Sequence, residues 1–256
     1  MAHADFISRC ESGVDGGRPS WRTADERRVA DLVREFDRAD AEHVIRRAWE
    51  IFGSHVKLAT SFAPEGVLLI DTVARVAPRL RVFTIDTGRL HEETHELIDR
   101  IRKRYRLQIE VYFPERDAVE RLLRREGPYS FRESVEKRRE CCAIRKVEPL
   151  RRALADARAW ITGVRREQAP TRSDAAIVEW DAVNERVKIN PLLHWRQSEV
   201  MRRIRERGLP TNRLLELGYR SIGCAPCTRP VARGECPRAG RWWWEHSGLK
   251  ECGLHR

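Results

Sequence analysis

No apolar run in the 256-residue chain approaches the roughly 18 residues that a membrane-spanning helix needs. Its opening stretch, "MAHADFISRCESG", has no apolar core of the signal-peptide kind. From these two absences we expect a cytoplasmic protein without membrane contact. The chain also has no internal repeat and no low-complexity tract. It lacks a basic recognition helix and any interleaved basic and aromatic motif, which argues against a nucleic-acid binder.

Hydrophobic residues make up 41% and charged residues 35% of the chain, with a net charge of +11. That is enough apolar material for one large α/β domain or two small ones. The positive excess is spread along the chain. It suits an anionic partner such as a nucleotide or a sulfated or phosphorylated small molecule, or simply an arginine-rich solvated surface. Of the seven cysteines, few are expected in disulfides if the compartment is reducing, so metal binding or thiol chemistry becomes the default reading.

Residues 1–22 are rich in Gly, Ser and Asp and read as a flexible N-terminal arm. The span 23–220 alternates strand and helix patterns. "ERRVADLVREFDRADAEHVIRRAWEIFG" has apolar residues three and four apart and predicts two helices. "HVKLATSF", "RVFTIDTG", "IEVYFP" and "AWITGV" read as strands, with "AIVEW" and "RVKINPL" as two more. Helices are expected in "PEGVLLIDTVARVAP", "EETHELIDRIRKRYR", Asp117–Glu126 and "QSEVMRRIRERG", the last stopped by Gly208. "EKRRECCAIRKVEPLRRALA" reads as a helix interrupted near Pro149. This alternation predicts an α/β fold, a mostly parallel sheet covered by helices on both faces, with ligands held at the carboxyl ends of the strands. Residues 221–256 are dense in Gly, Pro, Cys and Trp and predict an irregular C-terminal segment laid over the domain, ending in a mobile tail.

Cys141 and Cys142 are adjacent, so on a helix they diverge by roughly 100° and need partners elsewhere. Cys224 and Cys227 supply a C-x-x-C pair. Four thiolates suit tetrahedral zinc or a four-iron cluster, and a redox thiol pair is a third reading. Cys10 and Cys236 look incidental. Cys252 stands near the end of the chain among Lys250, His255 and Arg256, neighbours that favour a thiolate; by itself it could equally be a stray terminal thiol.

"CCAIRKVEPL", "ITGVRREQAPTR", "GYRSIGCAPCTRPV", "AGRWWWE" and "KECGLH", together with "TSFAPEGVLLIDT" and "IDTGRLHEETH", closely resemble the bacterial assimilatory adenylyl-sulfate (adenosine 5′-phosphosulfate, APS) reductases. The likeness runs from about Lys57 to the C-terminus. It implies an adenine-nucleotide α-hydrolase-like fold and a [4Fe–4S] cluster on Cys141, Cys142, Cys224 and Cys227. It also implies reduction of APS to sulfite and AMP with thioredoxin or a similar dithiol protein as donor, and Cys252 as nucleophile through an S-sulfocysteine intermediate. Relatives that reduce the 3′-phosphorylated substrate (PAPS) typically lack the two cysteine pairs. PAPS reduction and a zinc-stabilised nucleotide-binding protein without redox activity are the rival readings, and a homo-oligomer is left open.

By motif position the resemblance assigns Lys146, Arg238, Arg241 and His255 to the phosphosulfate. Ser61, Thr87 and Gly163 fall at strand-end turns that would hold the nucleotide, and Arg172 matches a further substrate contact. A thiolate approaching a doubly anionic anhydride needs such cations. Trp242, Trp243 and Trp244 read as packing for the tail. The chain departs from the family at Gly66, where most relatives carry Asp, and the first turn lacks the S-G-G-x-D-S pattern of pyrophosphatases on this fold.

Overall fold

The computed structural model describes residues 20–245 and 250–254. Most of the arm, with Cys10, and the expected phosphosulfate contact His255 lie outside the described residues. Helix α1 (Ser20–Phe36) already begins within the last residues assigned to the arm.

Six strands form one sheet in the order β3-β2-β1-β4-β6-β5. They are β1 (Val56–Ala59), β2 (Arg81–Ile85), β3 (Ile109–Tyr112), β4 (Ala159–Ile161), β5 (Val178–Asp181) and β6 (Arg186–Ile189). Five run parallel, and β5 pairs antiparallel with β6. The short turn between β5 and β6 leaves no room for a helical crossover, so a hairpin is the accessible geometry. From β1 the chain builds outward to β3, then returns to place β4 on the other side of β1. The topological switch point therefore lies between the carboxyl ends of β1 and β4.

Side chains alternate across each strand and divide the core in two. Val56, Leu58, Ala159, Ile161, Val187 and Ile189 face one large cluster. Helix α1, α2 (Ala41–Phe52), α3 (Pro64–Val76), α4 (Glu92–Tyr105) and α8 (Gln197–Glu206) contribute to that cluster. Ala59, Phe83, Ile85 and Trp160 face the other side, where Leu150 and Ala153 of α7 (Glu148–Ala153) cover them. Helix α3 is buried through Pro64–Val73, as its nearly continuous apolar sequence requires. Lys57 breaks the apolar run of β1, and its fully buried Nζ sits 2.6 Å from Asp156 and donates to the Ala153 carbonyl at 2.8 Å.

Helix α5 spans Arg116–Glu126 and α6 spans Val135–Cys142. The expected interruption near Pro149 falls elsewhere. The break is a π-helical turn over Ala143–Val147, and Pro149 lies in the first turn of α7, where its missing N–H costs nothing. Ser134 caps α6 by accepting from the Lys137 N–H at 3.2 Å.

Candidate active site

Cys141, Cys142, Arg145 and Lys146 stand at i, i+1, i+4 and i+5, which places them on one side of a helical run. All four are buried. The π turn that carries Arg145 and Lys146 is the kind of irregularity that recurs at functional sites. The opposite wall comes from the C-terminal segment. Its C-x-x-C knuckle is a 3-10 turn, Ala225–Cys227, in which Cys227 N–H donates to the Cys224 carbonyl at 3.0 Å. Ala225 N–H donates to the Arg89 carbonyl at 2.8 Å, tying the knuckle to the turn after β2. Cys141, Cys142, Cys224 and Cys227 thus line one cavity, shared with Arg89, Phe131, Arg138, Arg145 and Lys146. All four are free thiols, and among the described residues no three His, Cys, Asp or Glu side chains close on a single metal-ion position.

Burial pushes the Cys142 thiol up to about 11 and that of Cys227 up to about 12, and raises Cys141 as well. Cys224 goes the other way. Burial opposes its thiolate, but Lys146, the Thr87 hydroxyl and Arg241 outweigh that. Burial likewise works against the Lys146 ammonium, and the sulfurs of Cys224, Cys252 and Cys142 hold its pKa above the ordinary lysine value. Lys146 is the cation most tightly bound up with these sulfurs.

Thr87 lies on the sulfur side of the site. Its hydroxyl shares a 3.2 Å hydrogen bond with Cys224 Sγ, and its carbonyl accepts from Arg145 Nη1 at 2.7 Å. Ser61 is exposed in the turn after β1. Phe62 in that turn is buried with φ of 57°, a left-handed conformation that costs a bulky residue about 1–2 kcal/mol. Gly163 follows β4 by two residues and packs against the start of α3, where a Cβ on it would meet Glu65 Cβ at 2.9 Å. Ser61 and Gly163 therefore flank the switch point. The Glu65 carboxylate is held by Arg165 Nη2 at 2.8 Å and by Gln168 Nε2 at 3.0 Å. Gly66 has a local cause as well: a Cβ would lie 2.4 Å from Thr60 Oγ1, which accepts from the Phe62 N–H.

The hairpin that carries residues 228–241 brings Arg238, Arg241 and Trp242 back to the knuckle, with Arg229 N–H donating to Gly240 O and Trp242 N–H to Cys227 O. Trp242 is buried among the sulfurs, while Trp243 is exposed. The guanidinium groups of Arg138 and Arg241 lie 4.6 and 4.7 Å from the centre of the Trp242 ring, where the π cloud moderates their charge. Arg138 also makes a buried two-pronged pair with Glu245, at 2.7 and 3.0 Å. Its Nη1 donates to the Glu251 carbonyl at 2.7 Å. The half-buried Cys252 packs against the cysteine cluster, and Leu254 against the second core. Arg172 and Arg238 reach the tail through Glu251.

The functional-looking groups that sequence reasoning missed are Arg89, Arg138, Arg145 and Glu251. Two carried a signal: Arg145 adjoins Lys146, and Arg138 lies one turn before Cys142.

Residues 55–230 match the phosphoadenosine phosphosulfate reductase domain. The chain belongs to that family. It is 49% identical over 201 residues to an adenosine 5′-phosphosulfate reductase of Allochromatium vinosum, covering 78% of each chain. It is 45% identical over 218 residues to one of Neisseria meningitidis serogroup B, covering 84% of this chain and 89% of the relative. Among solved structures, the phosphoadenylyl-sulfate reductase of Candida auris in a phosphate complex superposes with a TM-score of 0.68 at 24% identity. That match covers 80% of this chain and 97% of the other, and it supports the expected α/β fold. Among the described residues no helix is long and apolar enough to cross a membrane.

Proposed function

We propose that this family member reduces adenosine 5′-phosphosulfate to sulfite and AMP. The observation that carries the reading is the convergence of four buried thiols, Lys146 and Cys252 on one site. The names of the relatives point the same way.

In this reading the nucleotide lies across Ser61 and Gly163, and Arg172, Arg238, Arg241 and Lys146 face the phosphosulfate; His255 is assigned to it by motif position alone. The Cys252 thiolate attacks the sulfate sulfur. An S–S bond forms, the S–O bond to AMP breaks, and AMP leaves with the electron pair. A thiol of an external dithiol protein of the thioredoxin kind then attacks Cys252 Sγ and releases sulfite. The second thiol of the donor resolves the mixed disulfide, leaving the donor oxidised and Cys252 a thiolate again.

The four cysteines would hold a [4Fe–4S] cluster. Their chemistry fits it, and four sulfurs spread round a cavity favour a multi-iron group over one zinc ion. When bound, such a cluster supplies a fixed charge and rigid anchoring of the two segments. Lys146 neutralises charge between sulfur ligands and substrate, and the buried arginines exclude water and orient the anion. A reducing compartment such as the cytoplasm suits the free thiols.

Steady-state assays with APS, PAPS and a reduced dithiol protein, alongside iron and zinc analysis, test the proposal. We expect sulfite from APS, far less from PAPS, and about four irons per chain. A colourless protein with one zinc and no sulfite production would refute it.

A further inference from the structure

The carboxylate of Glu251, one residue before Cys252, is turned into Arg172 and Arg238, two of the cations proposed to take the phosphosulfate. It accepts from Thr171 Oγ1 at 2.9 Å and pairs with Arg172 Nε at 3.5 Å and Arg238 Nη2 at 3.4 Å. Arg238 Nη2 also donates to the Lys250 carbonyl at 2.6 Å. The three ionic side chains are only 12–17% exposed, so solvent screens the contact weakly.

We propose that Glu251 is a built-in stand-in for the substrate anion, which the phosphosulfate must displace and which thereby couples substrate arrival to release of the Cys252 tail. The inference rests on the reading of Arg172 and Arg238 as substrate-binding groups. Without Glu251 or a bound anion, these two guanidiniums would stand mostly buried with no carboxylate partner among the described residues, a costly arrangement. Glu251 provides one negative charge at the long end of ion-pair distance. A phosphosulfate brings more charge and more acceptor oxygens suited to forked guanidinium donors. Once it takes the arginines, the Glu251 carboxylate and the Lys250 carbonyl lose their guanidinium partners together, and the docking of the adjoining Cys252 loosens onto its remaining ties, Arg138 to the Glu251 carbonyl and Lys250 Nζ to the Trp242 carbonyl. The cost is affinity: every anion that binds must first displace the carboxylate.

ADP is the probe, because its second phosphate stands where the sulfate would and offers the thiolate no sulfur. On the as-isolated protein, calorimetry gives the ADP dissociation constant. Iodoacetamide labelling with peptide mapping gives the alkylation rate of Cys252. We expect ADP to accelerate Cys252 alkylation in the wild type. We expect Glu251→Gln to bind ADP about tenfold more tightly and to alkylate rapidly without ADP. Thr171→Val removes one hydroxyl and no charge. It shifts both readouts the same way by less, and it decides the matter alone if Glu251→Gln does not fold. Unchanged or weaker ADP binding in these variants, or slower alkylation on adding ADP, overturns the inference. A wild type that binds no ADP sinks the assignment of Arg172 and Arg238 to the substrate, and this inference with it.

Discussion

Lys146 is buried, yet its charge is favoured, because the pull of three cysteine sulfurs outweighs both burial and the repulsion from Arg241. A cation placed in advance where negative charge gathers stabilises a transition state without reorganising. Lys146→Met keeps the stem and removes the charge. We predict that it lowers kcat/KM for APS by about 10²-fold while iron content stays at the wild-type value. Full turnover in the variant would contradict the assignment. The residue scale is also where the sequence was most legible at the sulfurs and least so around them. Two cysteine pairs announce themselves by type and spacing. The ion pairs that orient the tail, Arg138 to Glu245 and Glu251 to Arg172 and Arg238, join residues far apart in a chain with 50 lysines and arginines. Nothing local marks which of those arginines is buried.

Two junctions between elements make separate predictions. Where β1 passes into α3, Thr60 Oγ1 occupies the space above Gly66. Ala is favoured over Gly in a helix by about 1 kcal/mol, but here its methyl meets the hydroxyl, and overpacking costs about 1–3 kcal/mol. Gly66→Ala should therefore lower the melting temperature in the wild-type background and raise it, or leave it unchanged, in a Thr60→Ala background. Equal effects in both backgrounds would show that the two positions are independent. At the opposite ends of the strands, Asp156 joins Lys57 of β1 to Arg81 of β2. Burial pushes its carboxyl up, but the hydrogen bonds from Lys57 and Arg81 outweigh that and hold it at about 2 against 3.8. A depressed carboxyl stabilises the fold above its unfolded pKa and loses that contribution as pH falls through the folded value. Asp156→Asn should thus lower the melting temperature near neutrality, with the gap closing as pH drops from 3.8 toward about 2. A gap independent of pH would rule out the charge as its cause. Elements were readable because their periods are clean. The π turn was not, since a one-residue widening leaves no compositional trace, and Pro149 drew attention to the wrong place.

At the scale of the molecule, the long-range event is the return of the C-terminal segment onto the α6 face, which turns two distant cysteine pairs into one cavity and lays Cys252 beside it. The alternating elements foretold a parallel sheet, and a sheet's connectivity fixes its switch point. No periodicity foretold the path of the segment itself, and only its motifs connected it to a family. In the proposed reading its first covalent step needs no electron donor, so that step can be followed by itself. The as-isolated protein is mixed with APS and no reductant, and its intact mass is recorded beside that of Cys252→Ser. The account predicts the gain of one sulfonate group in the wild type and none in the variant; an adduct that persists in Cys252→Ser, or an unmodified wild type that still yields sulfite when a dithiol is added, would contradict it.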